Sequence, residues 1–510
     1  MYRLGIDVGG TNTDFVLLDR QNKIVSMRKQ LTTKSIDDGI IKGILTLGVN
    51  PQQITQIYVG TTHALNALLE AKGLLPTGLI RIAGHNPKVS PGAGIPPRLK
   101  KAFFVGGVTI SGGFECDGRE ISPFQEDELL RAVDSLVLKG AQGIALVSAF
   151  GCIYPAHEQK ALEIIRQHYL DRIQVSMSSN FGSLGYIERE NAAVLNSALF
   201  SVINCGFSRI QERLKEITSA ELFLVQNDGS QVAFEEAKKM PILTLSCGPT
   251  NSGKGGSILA GEDTCIVVDV GGTSTDVIRV EKGFVKRSSG NVVIADLSLQ
   301  FSAPDVVSLA IGGGSIVDGD QVGPSSVASS LMTKARCFGG DVETLTDLGI
   351  LLGHLQIEGA DSSKIGMSKE NGEALLDKAA RRIADAITLV RGERQDLPCV
   401  IVGGGAPIIY SSLKKIVNHL CTLDVSQSFG IANALGAIHS EVGGISDGIV
   451  SFDERERLLP ELIDLAKERA IAKGADRNFV RVGDIAITPF AYSKERLARI
   501  SIAVSGPRGS

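Results

Sequence analysis

One eight-residue sequence occurs twice in this chain. Asp-Val-Gly-Gly-Thr-Asn-Thr-Asp stands at residues 7–14 and Asp-Val-Gly-Gly-Thr-Ser-Thr-Asp at residues 269–276, so seven of the eight positions are identical. We call them the first motif (Asp7–Asp14) and the second motif (Asp269–Asp276). Each lies between two short apolar runs, which is typical of a strand, a tight glycine turn and a second strand. The repetition predicts an internal duplication with two related α/β halves.

The glycine pairs suit a phosphate site. Because glycine has no Cβ and accepts positive φ, backbone N–H groups at such turns can approach an anion closely, and neighbouring hydroxyls can add donors. The residues expected to surround phosphate are Gly9, Gly10, Thr11, Asn12 and Thr13 in the first motif and Gly271, Gly272, Thr273 and Ser274 in the second. A single such turn could equally be a structural β-turn, but two near-identical copies favour phosphate binding.

An aspartate opens each motif at the end of a predicted strand. Asp7 and Asp269 would repel a phosphate bound at the adjacent turn unless a cation lay between them. Mg²⁺ meets this need, because it binds one or two carboxylates together with water and phosphate oxygens. The motifs therefore predict a nucleotide bound with Mg²⁺ beside these two carboxylates.

Composition excludes several classes of function. The net charge of −4 and the absence of tryptophan give no case for nucleic acid or an anionic membrane as a partner. The eight cysteines have no C-x-x-C spacing, which favours reduced thiols over disulfides or a zinc site. No apolar run reaches membrane-spanning length and no signal-peptide pattern precedes the first strand. We therefore expect a cytoplasmic protein that binds neither nucleic acid nor membrane.

At 510 residues the chain is too long for a single hydrophobic core. Alternating strand and helix patterns predict α/β domains at 1–185 and 186–450, joined by a long helix over 187–217. A glycine- and proline-rich stretch at about 86–120 is expected to be an irregular insertion in the first domain. The last segment, 451–510, either forms an added subdomain or returns to the first domain.

Two further glycine-rich stretches are candidate nucleotide contacts. Gly403, Gly404 and Gly405 follow a predicted buried strand, which favours contact with adenosine over a simple turn before a helix. Residues 248–255 approach the P-loop pattern, but Gly255 stands where the Mg²⁺-binding Ser or Thr belongs. We therefore do not expect a P-loop there.

A polar group follows the strand predicted over 54–59. The candidates for substrate contact are Thr61, Thr62, His63 and Asn66. The alternative is a helix N-terminus capped by threonine, and His63 has no visible partner for a role as general acid or base. Glu188 and Asn191 either support the same cleft or lie on a solvated helix face.

The order of these features resembles the actin/hexokinase/Hsp70-type ATPase superfamily. Its signature runs from a first phosphate motif through a connecting helix, a second phosphate motif and an adenosine motif to a second connecting helix. The candidates in that order are Asp7–Asp14, Glu188–Leu199, Asp269–Asp276, Val402–Pro407 and Ala432–His439. The resemblance implies an α/β fold of two duplicated actin-like (ribonuclease H-like) ATPase domains with a nucleotide cleft between them. It further implies ATP and Mg²⁺, with Asp7 as catalytic carboxylate and metal ligand and Asp269 orienting or deprotonating the nucleophile.

Most of residues 1 to about 355 also resembles the hydantoinase/oxoprolinase family. The shared stretches are 60–62, 66–69, 154–158, 188–190, 194–196, 246–249, 269–276, 312–316, 322–324, 339–340 and 345–347. The family resemblance implies an ATP-dependent hydrolase that phosphorylates the carbonyl oxygen of a cyclic amide, such as a hydantoin, an oxoproline or a lactam, before ring opening. It also implies a partner subunit of the hydantoinase B type, and we expect an oligomer.

Three other functions stay open on this fold. They are a carboxylase subunit, a small-molecule kinase, and a regulatory ATPase that reactivates or activates a partner protein. The cysteines argue against an activator of the iron–sulfur type, because no cluster-type spacing occurs. Dependence of ATP turnover on a small carbonyl compound would separate the enzymes from the regulatory ATPase.

Overall fold

The structure, a computed structural model, describes residues 1–10, 12–33, 35–84, 88–181, 185–288, 290–421, 430–489 and 496–509. The elements up to residue 260 are β1 Tyr2–Val8, β2 Asn12–Leu18, β3 Ile24–Leu31, α1 Ile36–Leu45, β4 Ile54–Thr61, α2 His63–Glu70, β5 Thr77–Ile82, α3 Pro97–Phe103, β6 Phe104–Ile110, α4 Glu126–Leu138, β7 Gly143–Ser148, α5 Ala156–Tyr169, β8 Gln174–Met177, α6 Tyr186–Ile217, β9 Glu221–Val225, β10 Gln231–Ala233, α7 Phe234–Ala237 and α8 Cys247–Ala260. The later elements are β11 Cys265–Val270, β12 Thr275–Glu281, β13 Phe284–Val285, β14 Val292–Ile294, β15 Leu297–Leu299, β16 Val306–Leu309, β17 Ser315–Asp318, β18 Gln321–Ser326, α9 Leu331–Lys334, α10 Leu345–Leu351, α11 Lys369–Arg391, β19 Cys399–Val402, α12 Ala406–Lys414, α13 Ala432–Ile438, β20 Val442–Ser451, α14 Arg455–Ala472, β21 Arg481–Pro489 and β22 Leu497–Gly506.

The first motif lies in a six-stranded sheet of order β10-β9-β4-β1-β2-β3. Strands β1 and β2 pair antiparallel around the turn of the motif, and β4 and β9 extend the sheet as parallel strands beside β1. Strands β9 and β10 fall within 186–450, the range assigned to the second domain, although they pair with the first sheet. The boundary at residue 185 stays a prediction, and this pairing favours a boundary after β10.

A second sheet, of order β6-β5-β7-β8, is entirely parallel. Successive residues of its strands point to opposite faces, as strand geometry requires. Leu79 and Ala145 belong to a core shared with α6, whereas Ile80 and Leu146 pack with α4 and α5. This sheet therefore lies between one long helix and a pair of helices.

The prediction of an irregular insertion at about 86–120 is wrong for the middle of this range. Residues 97–110 form α3 and β6, and β6 belongs to the parallel sheet. Gly106 and Gly107 hide the apolar pattern of this strand. A Cβ on Gly107 would lie 2.4 Å from Pro91, so glycine here permits close packing between a strand and its neighbour.

The second motif lies in a sheet of order β13-β12-β11-β19, in which β16 also pairs with β12. Strands β11 and β12 are antiparallel around the turn, and β19 lies parallel to β11. This repeats the arrangement of β2, β1 and β4 in the first sheet. The matching arrangement confirms the predicted duplication.

Helices α8 and α13 lie between the two halves, with α13 against β1 and β4 and α8 against β11. Glycine allows them to cross closely. A Cβ on Gly255 would lie 1.8 Å from the carbonyl oxygen of Ala432, and one on Gly436 would lie 2.0 Å from that of Asn251. The connecting helix expected at Glu188–Leu199 is therefore corrected: those residues lie in α6, and α8 pairs with α13 instead.

Helix α6 has 32 residues, and by length and composition alone it could cross a membrane. In its most apolar 18-residue window, 61% of the residues are buried inside the protein. Its apolar residues belong to the core beneath the first and second sheets. A long core helix accounts for this composition.

The C-terminal sheet has the order β20-β22-β21 and packs on α14. It begins at Val442, earlier than the predicted boundary at 451. A β-bridge between Ser230 and Glu441 connects its start to the first half, and Arg287 Nη2 lies 3.0 Å from Asp484 Oδ2 across the contact with the second half. Among the described residues its three strands pair with one another, as an added subdomain would.

Candidate active site

The two motifs fold as hairpins with the same register. Asp7 pairs with Asp14 across the first hairpin, and Asp269 pairs with Asp276 across the second. Each turn is closed by the N–H of its first glycine, which donates to the residue three positions later at 3.0 Å in the first motif and 2.9 Å in the second. Thr11 lies outside the described residues. The repeated sequence thus gives a repeated local structure.

The turns of both hairpins present backbone to open space. Gly10, Gly272 and Thr273 are exposed, and a Cβ built on Gly10 would meet no atom within 4 Å. Thr13 is buried, and its hydroxyl lies 3.1 Å from that of Thr32. The exposed glycines can therefore approach an anion, whereas the Thr13 hydroxyl already has a protein neighbour.

The four aspartates of the two motifs lie close enough to affect one another. Burial, followed by the charges of Asp14 and Asp269, raises the pKa of Asp7 to about 8. Burial also raises the pKa of Asp14 and the pKa of Asp276, each to about 6, and the charge of Asp269 adds to both shifts. The pKa of Asp269 is raised by burial as well. The two halves therefore bring their carboxylates to one site of concentrated negative charge.

Lys29 is the cation nearest to this cluster among the groups that act on these pKa values. Its Nζ lies 3.4 Å from Asp14 Oδ1, because Lys29 on β3 is the register partner of Asp14 on β2. Its charge lowers the pKa of Asp7, Asp14 and Asp269, against the larger effect of burial. No motif in the sequence identifies this lysine, since its role follows from strand pairing.

Two helix residues hold the second carboxylate. The hydroxyl of Ser252 on α8 hydrogen-bonds to Asp269 Oδ2 and to Asn433 Oδ1 on α13. Hydrogen bonding by Asn433 also lowers the pKa of both Asp7 and Asp269. The sequence reasoning missed both residues, because each lies among small residues that indicate only close helix packing.

The structure brings Gly403, Gly404 and Gly405 beside the second motif. Gly403 has φ +94°, and a Cβ there would lie 2.3 Å from Asp269 Oδ1. The N–H of Gly405 donates to the carbonyl of Val270 at 2.8 Å. Glycine at position 403 is therefore required both by its backbone conformation and by the carboxylate.

A third glycine loop, Gly312–Gly314, supports the second hairpin. The N–H of Gly313 donates to Gly271 O at 2.9 Å, and the N–H of Gly314 donates to Gly272 O at 2.7 Å. These bonds hold the turn from its carbonyl side and leave its N–H side for a ligand. The three consecutive glycines were a visible signal, although the sequence gives them no assigned contact.

The four substrate candidates lie at the end of β4, next to the end of β1. Thr61 Oγ1 accepts from the N–H of His63 at 3.0 Å, and Thr62 Oγ1 accepts from Asn66 Nδ2 at 3.4 Å. The N–H of Thr62 donates to the carbonyl of Val8, which ties this group to the first motif. The threonines thus make the local bonds of a helix start, and contact with a substrate stays a prediction.

The ring of His63 points toward α6. Its Nε2 lies 3.4 Å from the position that a Cβ on Gly206 would take. Burial, with Arg209 nearby, lowers the pKa of His63. A neutral imidazole packed against a helix is the state that this position favours.

Two further candidates, Lys254 and Asn191, hydrogen-bond to groups other than the four aspartates. Residues 248–255 lie within α8, as the departure from the P-loop pattern predicted, and Lys254 Nζ donates to the carbonyl of Gly283 at 2.8 Å. Asn191 is buried on α6, where its Nδ2 donates to the carbonyl of Ser298 at 2.9 Å. The alternative prediction, that Asn191 lies on a solvated helix face, is therefore wrong.

The carboxylate cluster fits a divalent cation that also binds phosphate. Among the described residues, Asp14 Oδ1 is buried with the ammonium of Lys29 3.4 Å away as its ion-pair partner, and the charges of Asp14 and Asp269 act on Asp7. Within the described residues, no group of three or more Asp, Glu, His or Cys side chains is arranged as a metal site by itself. Mg²⁺ needs only one or two carboxylates, because water and phosphate oxygens complete its shell.

Family models match two consecutive parts of the chain. The model described as hydantoinase/oxoprolinase N-terminal region matches residues 3–169, and the model described as hydantoinase/oxoprolinase matches residues 189–389. The chain belongs to the hydantoinase/oxoprolinase family. This confirms the resemblance found in the motifs.

Relatives of this chain are named for several different activities. The caprolactamase subunit alpha of Pseudomonas jessenii is 29% identical over 422 residues, which cover 76% of this chain and 59% of the relative. The acetophenone carboxylase gamma subunit of Aromatoleum aromaticum is 26% identical over 438 residues, with the same two coverages. 5-Oxoprolinase 1 of Arabidopsis thaliana is 26% identical over 408 residues, covering 69% of this chain and 31% of the relative. The match thus spans less than two thirds of the length of each of these relatives.

Solved structures share the fold over nearly the whole chain. The ATP-dependent caprolactamase from Pseudomonas jessenii has a TM-score of 0.80 at 21% identity, covering 99% of this chain and 87% of that one. Nucleotide-free acetone carboxylase has a TM-score of 0.69 at 17% identity, covering 99% and 88%. The predicted fold, α/β with two duplicated actin-like ATPase domains, is confirmed.

Proposed function

We propose that this chain binds ATP between its two motifs and phosphorylates the carbonyl oxygen of a small cyclic amide, such as a lactam, a hydantoin or an oxoproline. The observation that carries the proposal is the pair of hairpins with matching register, which places two buried aspartates, Asp7 and Asp14, and two partly buried ones, Asp269 and Asp276, beside exposed glycine turns. Membership of the hydantoinase/oxoprolinase family supports the class of substrate.

The proposed step is a phosphoryl transfer to an amide oxygen. The carbonyl oxygen attacks the γ-phosphorus, the bond between that phosphorus and the bridging oxygen breaks, and ADP leaves with the electron pair. The amide nitrogen loses its proton to a base, so the product is a neutral C=N bond beside a phosphorylated oxygen. Water then adds to the carbon, and the ring nitrogen takes up a proton and leaves, which breaks the C–N bond and opens the ring to an acyl phosphate. A second water hydrolyses the acyl phosphate to the free carboxylate and inorganic phosphate.

Each part of the site has a proposed role in this step. The exposed turns, including Gly10 and Gly272, bind phosphate oxygens through backbone N–H groups. Asp7 binds Mg²⁺, which supplies charge neutralisation for the phosphates when bound. Asp269 orients the nucleophile or accepts its proton, for which its raised pKa brings it nearer to neutral pH. Gly403, Gly404 and Gly405 contact the adenosine.

A carboxylase subunit is the second candidate, and a specific observation favours it. Two relatives are named as carboxylase subunits: acetophenone carboxylase gamma at 26% identity and acetone carboxylase beta, from Xanthobacter autotrophicus, at 24%. A ketone would react in the same way, except that the proton leaves a carbon next to the carbonyl and the product is an enol phosphate. Both relatives and the caprolactamase alpha chain are named as subunits, so we propose that a second subunit, of the hydantoinase B type, completes the reaction.

The test is ATP turnover measured as phosphate release with a panel of lactams, hydantoins, 5-oxoproline and ketones. The panel is run with Mg²⁺, with and without bicarbonate, and with and without a co-encoded partner subunit. Stimulation by a cyclic amide without bicarbonate supports the hydrolase, and stimulation by a ketone only with bicarbonate supports the carboxylase. Phosphate release that depends on a partner protein and on none of the small compounds would refute both and favour a regulatory ATPase.

Variants of one aspartate test the assignment of the site. Asp269→Asn should lower turnover by orders of magnitude while the thermal midpoint stays at or above that of the wild type, since the substitution removes a charge that burial disfavours. Asp396→Asn, which changes an exposed aspartate paired with Arg394, should leave turnover unchanged. A stable phosphorylated product in place of ring opening would instead indicate a small-molecule kinase.

A further inference from the structure

The side chain of Ser252 on α8 contacts both the second motif and α13. It is fully buried, and its hydroxyl contacts Asp269 Oδ2 from β11 and Asn433 Oδ1 from α13, as well as the carbonyl of Gly248 one turn earlier at 3.1 Å. A serine hydroxyl has a single hydrogen to donate, so the carboxylate, the amide oxygen and the carbonyl of Gly248 compete for one donor. The hydroxyl therefore links three separate elements at the point where the two halves meet.

Asn433 approaches the same carboxylate from the opposite helix. Its amide lowers the pKa of Asp7 as well as that of Asp269, so one side chain acts on the leading aspartate of each motif. Asn433 follows Ala432, whose carbonyl is in close contact with Gly255 on α8. The close crossing of α8 and α13 thus places Ser252 and Asn433 at the carboxylates.

The other oxygen of Asp269 has different surroundings. Oδ1 lies where a side chain on residue 403 would be, 2.3 Å from the Cβ that Gly403 lacks. The carboxylate is therefore held through Oδ2 by a hydroxyl, and its Oδ1 lies against a backbone that carries no side chain. The hydrogen bond from Ser252 therefore fixes the plane of the carboxylate and the direction in which its second oxygen points.

We infer that Ser252 and Asn433 are positioning residues that orient Asp269, so that Oδ1 is the oxygen presented to the reacting groups. This inference rests on the function proposed above. The fold itself does not need the Ser252 hydroxyl, because the glycine contacts between α8 and α13 are made by backbone and small side chains. Without the hydroxyl, Asp269 can rotate, and a misplacement of about 1 Å can cost on the order of a hundredfold in rate.

Ser257 on the same helix offers a matched control. It is buried at 4% exposure, and its hydroxyl donates to the carbonyl of Lys254 at 2.9 Å, within α8 itself. Ser257→Ala therefore removes the same atom from the same helix without touching Asp269. A difference between the two alanine variants reports on the contact with the carboxylate.

The experiment compares Ser252→Ala, Asn433→Ala and Ser257→Ala with the wild type. Steady-state kinetics give kcat and KM for ATP in the presence of the compound that stimulates turnover in the panel above. Calorimetry gives the dissociation constant of the complex between Mg²⁺ and a non-hydrolysable ATP analogue. We expect Ser252→Ala and Asn433→Ala to lower kcat by about 10- to 100-fold, with KM and the dissociation constant within about twofold. Ser257→Ala should match the wild type in all three quantities.

Two results would overturn the inference. One is a kcat for Ser252→Ala within about twofold of that for Ser257→Ala, and the other is a loss of nucleotide affinity as large as the loss of kcat. If Ser252→Ala melts well below the wild type, Asn433→Ala decides by the same criteria. A wild type that hydrolyses ATP without any small compound, and still depends on Ser252, would refute the proposed substrate and support the positioning role.

Discussion

The crossing of α8 and α13 allows a sharp test of how the two halves are joined. In Gly255→Ala, the new Cβ would lie 1.8 Å from the carbonyl oxygen of Ala432, whereas ordinary contact begins at 3.4 Å. The helices would have to separate by about 1.6 Å, the difference between these two distances. The obstacle is backbone, so no side chain can rotate away to relieve it.

The change in the free energy of unfolding that Gly255→Ala causes is the sum of two opposing effects. Overpacking of this kind costs about 3 kcal/mol at the upper end of its usual range. Replacing glycine by alanine inside a helix returns about 1 kcal/mol. We therefore expect Gly255→Ala to lower the free energy of unfolding by about 2 kcal/mol. Asn433 adjoins the displaced residue Ala432, so ATP turnover should fall by about a hundredfold as well.

Urea denaturation followed by circular dichroism measures the stability, and phosphate release measures turnover. Gly248→Ala is the matched control, because it lies in the same helix and a Cβ there meets nothing within 4 Å. That variant should be as stable as the wild type or slightly more stable. A Gly255→Ala protein as stable as Gly248→Ala, with unchanged turnover, would refute the close crossing as the link between the halves.

Three further predictions concern charged groups. Arg81→Met leaves Glu190 buried without the guanidinium that it pairs with, and urea denaturation should show a loss of about 3–5 kcal/mol in the free energy of unfolding. A loss below about 1 kcal/mol would contradict this. Burial raises the pKa of Asp276 from 3.8 to about 6, so this carboxyl favours the fold at low pH and its contribution disappears as the pH rises through 6. Between about pH 4 and 7, urea titrations should show the free energy of unfolding of the wild type falling by about 3 kcal/mol more than that of Asp276→Asn. If the two free energies changed in parallel with pH, the raised pKa would be excluded. Lys29→Met removes the charge that lowers the pKa of Asp269, the proposed base, so the acid limb of the pH–rate profile should move to higher pH. An unmoved limb would argue against this role of Lys29.

Local sequence carried most of the fold. The repeated motifs predicted two hairpins because a glycine pair between two apolar runs has few other conformations. The structure confirms them with Asp7 and Asp269 at equivalent positions. Prediction failed where glycine serves packing. Gly107 made strand β6 look irregular, and the glycines of α8 imitated a phosphate loop although they let α13 approach.

Connections between distant parts of the chain were harder to predict. The helix at Glu188–Leu199 has the position in sequence order that a connecting helix would have, but it is packed between the first and second sheets. Strands β9 and β10 return to the first sheet after this helix. Apolar patterns predict that a strand is buried, and they do not specify which sheet it joins.

The sequence by itself determined the two glycine turns and the aspartates beside them, since these depend on residues within one hairpin. They are the basis for the class of ligand that we propose. Only the tertiary structure decided which groups act on those aspartates. Lys29, Ser252 and Asn433 come from three other elements, and each reaches the carboxylates through strand pairing or helix crossing. The physical reason is that burial and charge, which set the pKa values of the carboxylates, depend on distances in space that no local pattern records.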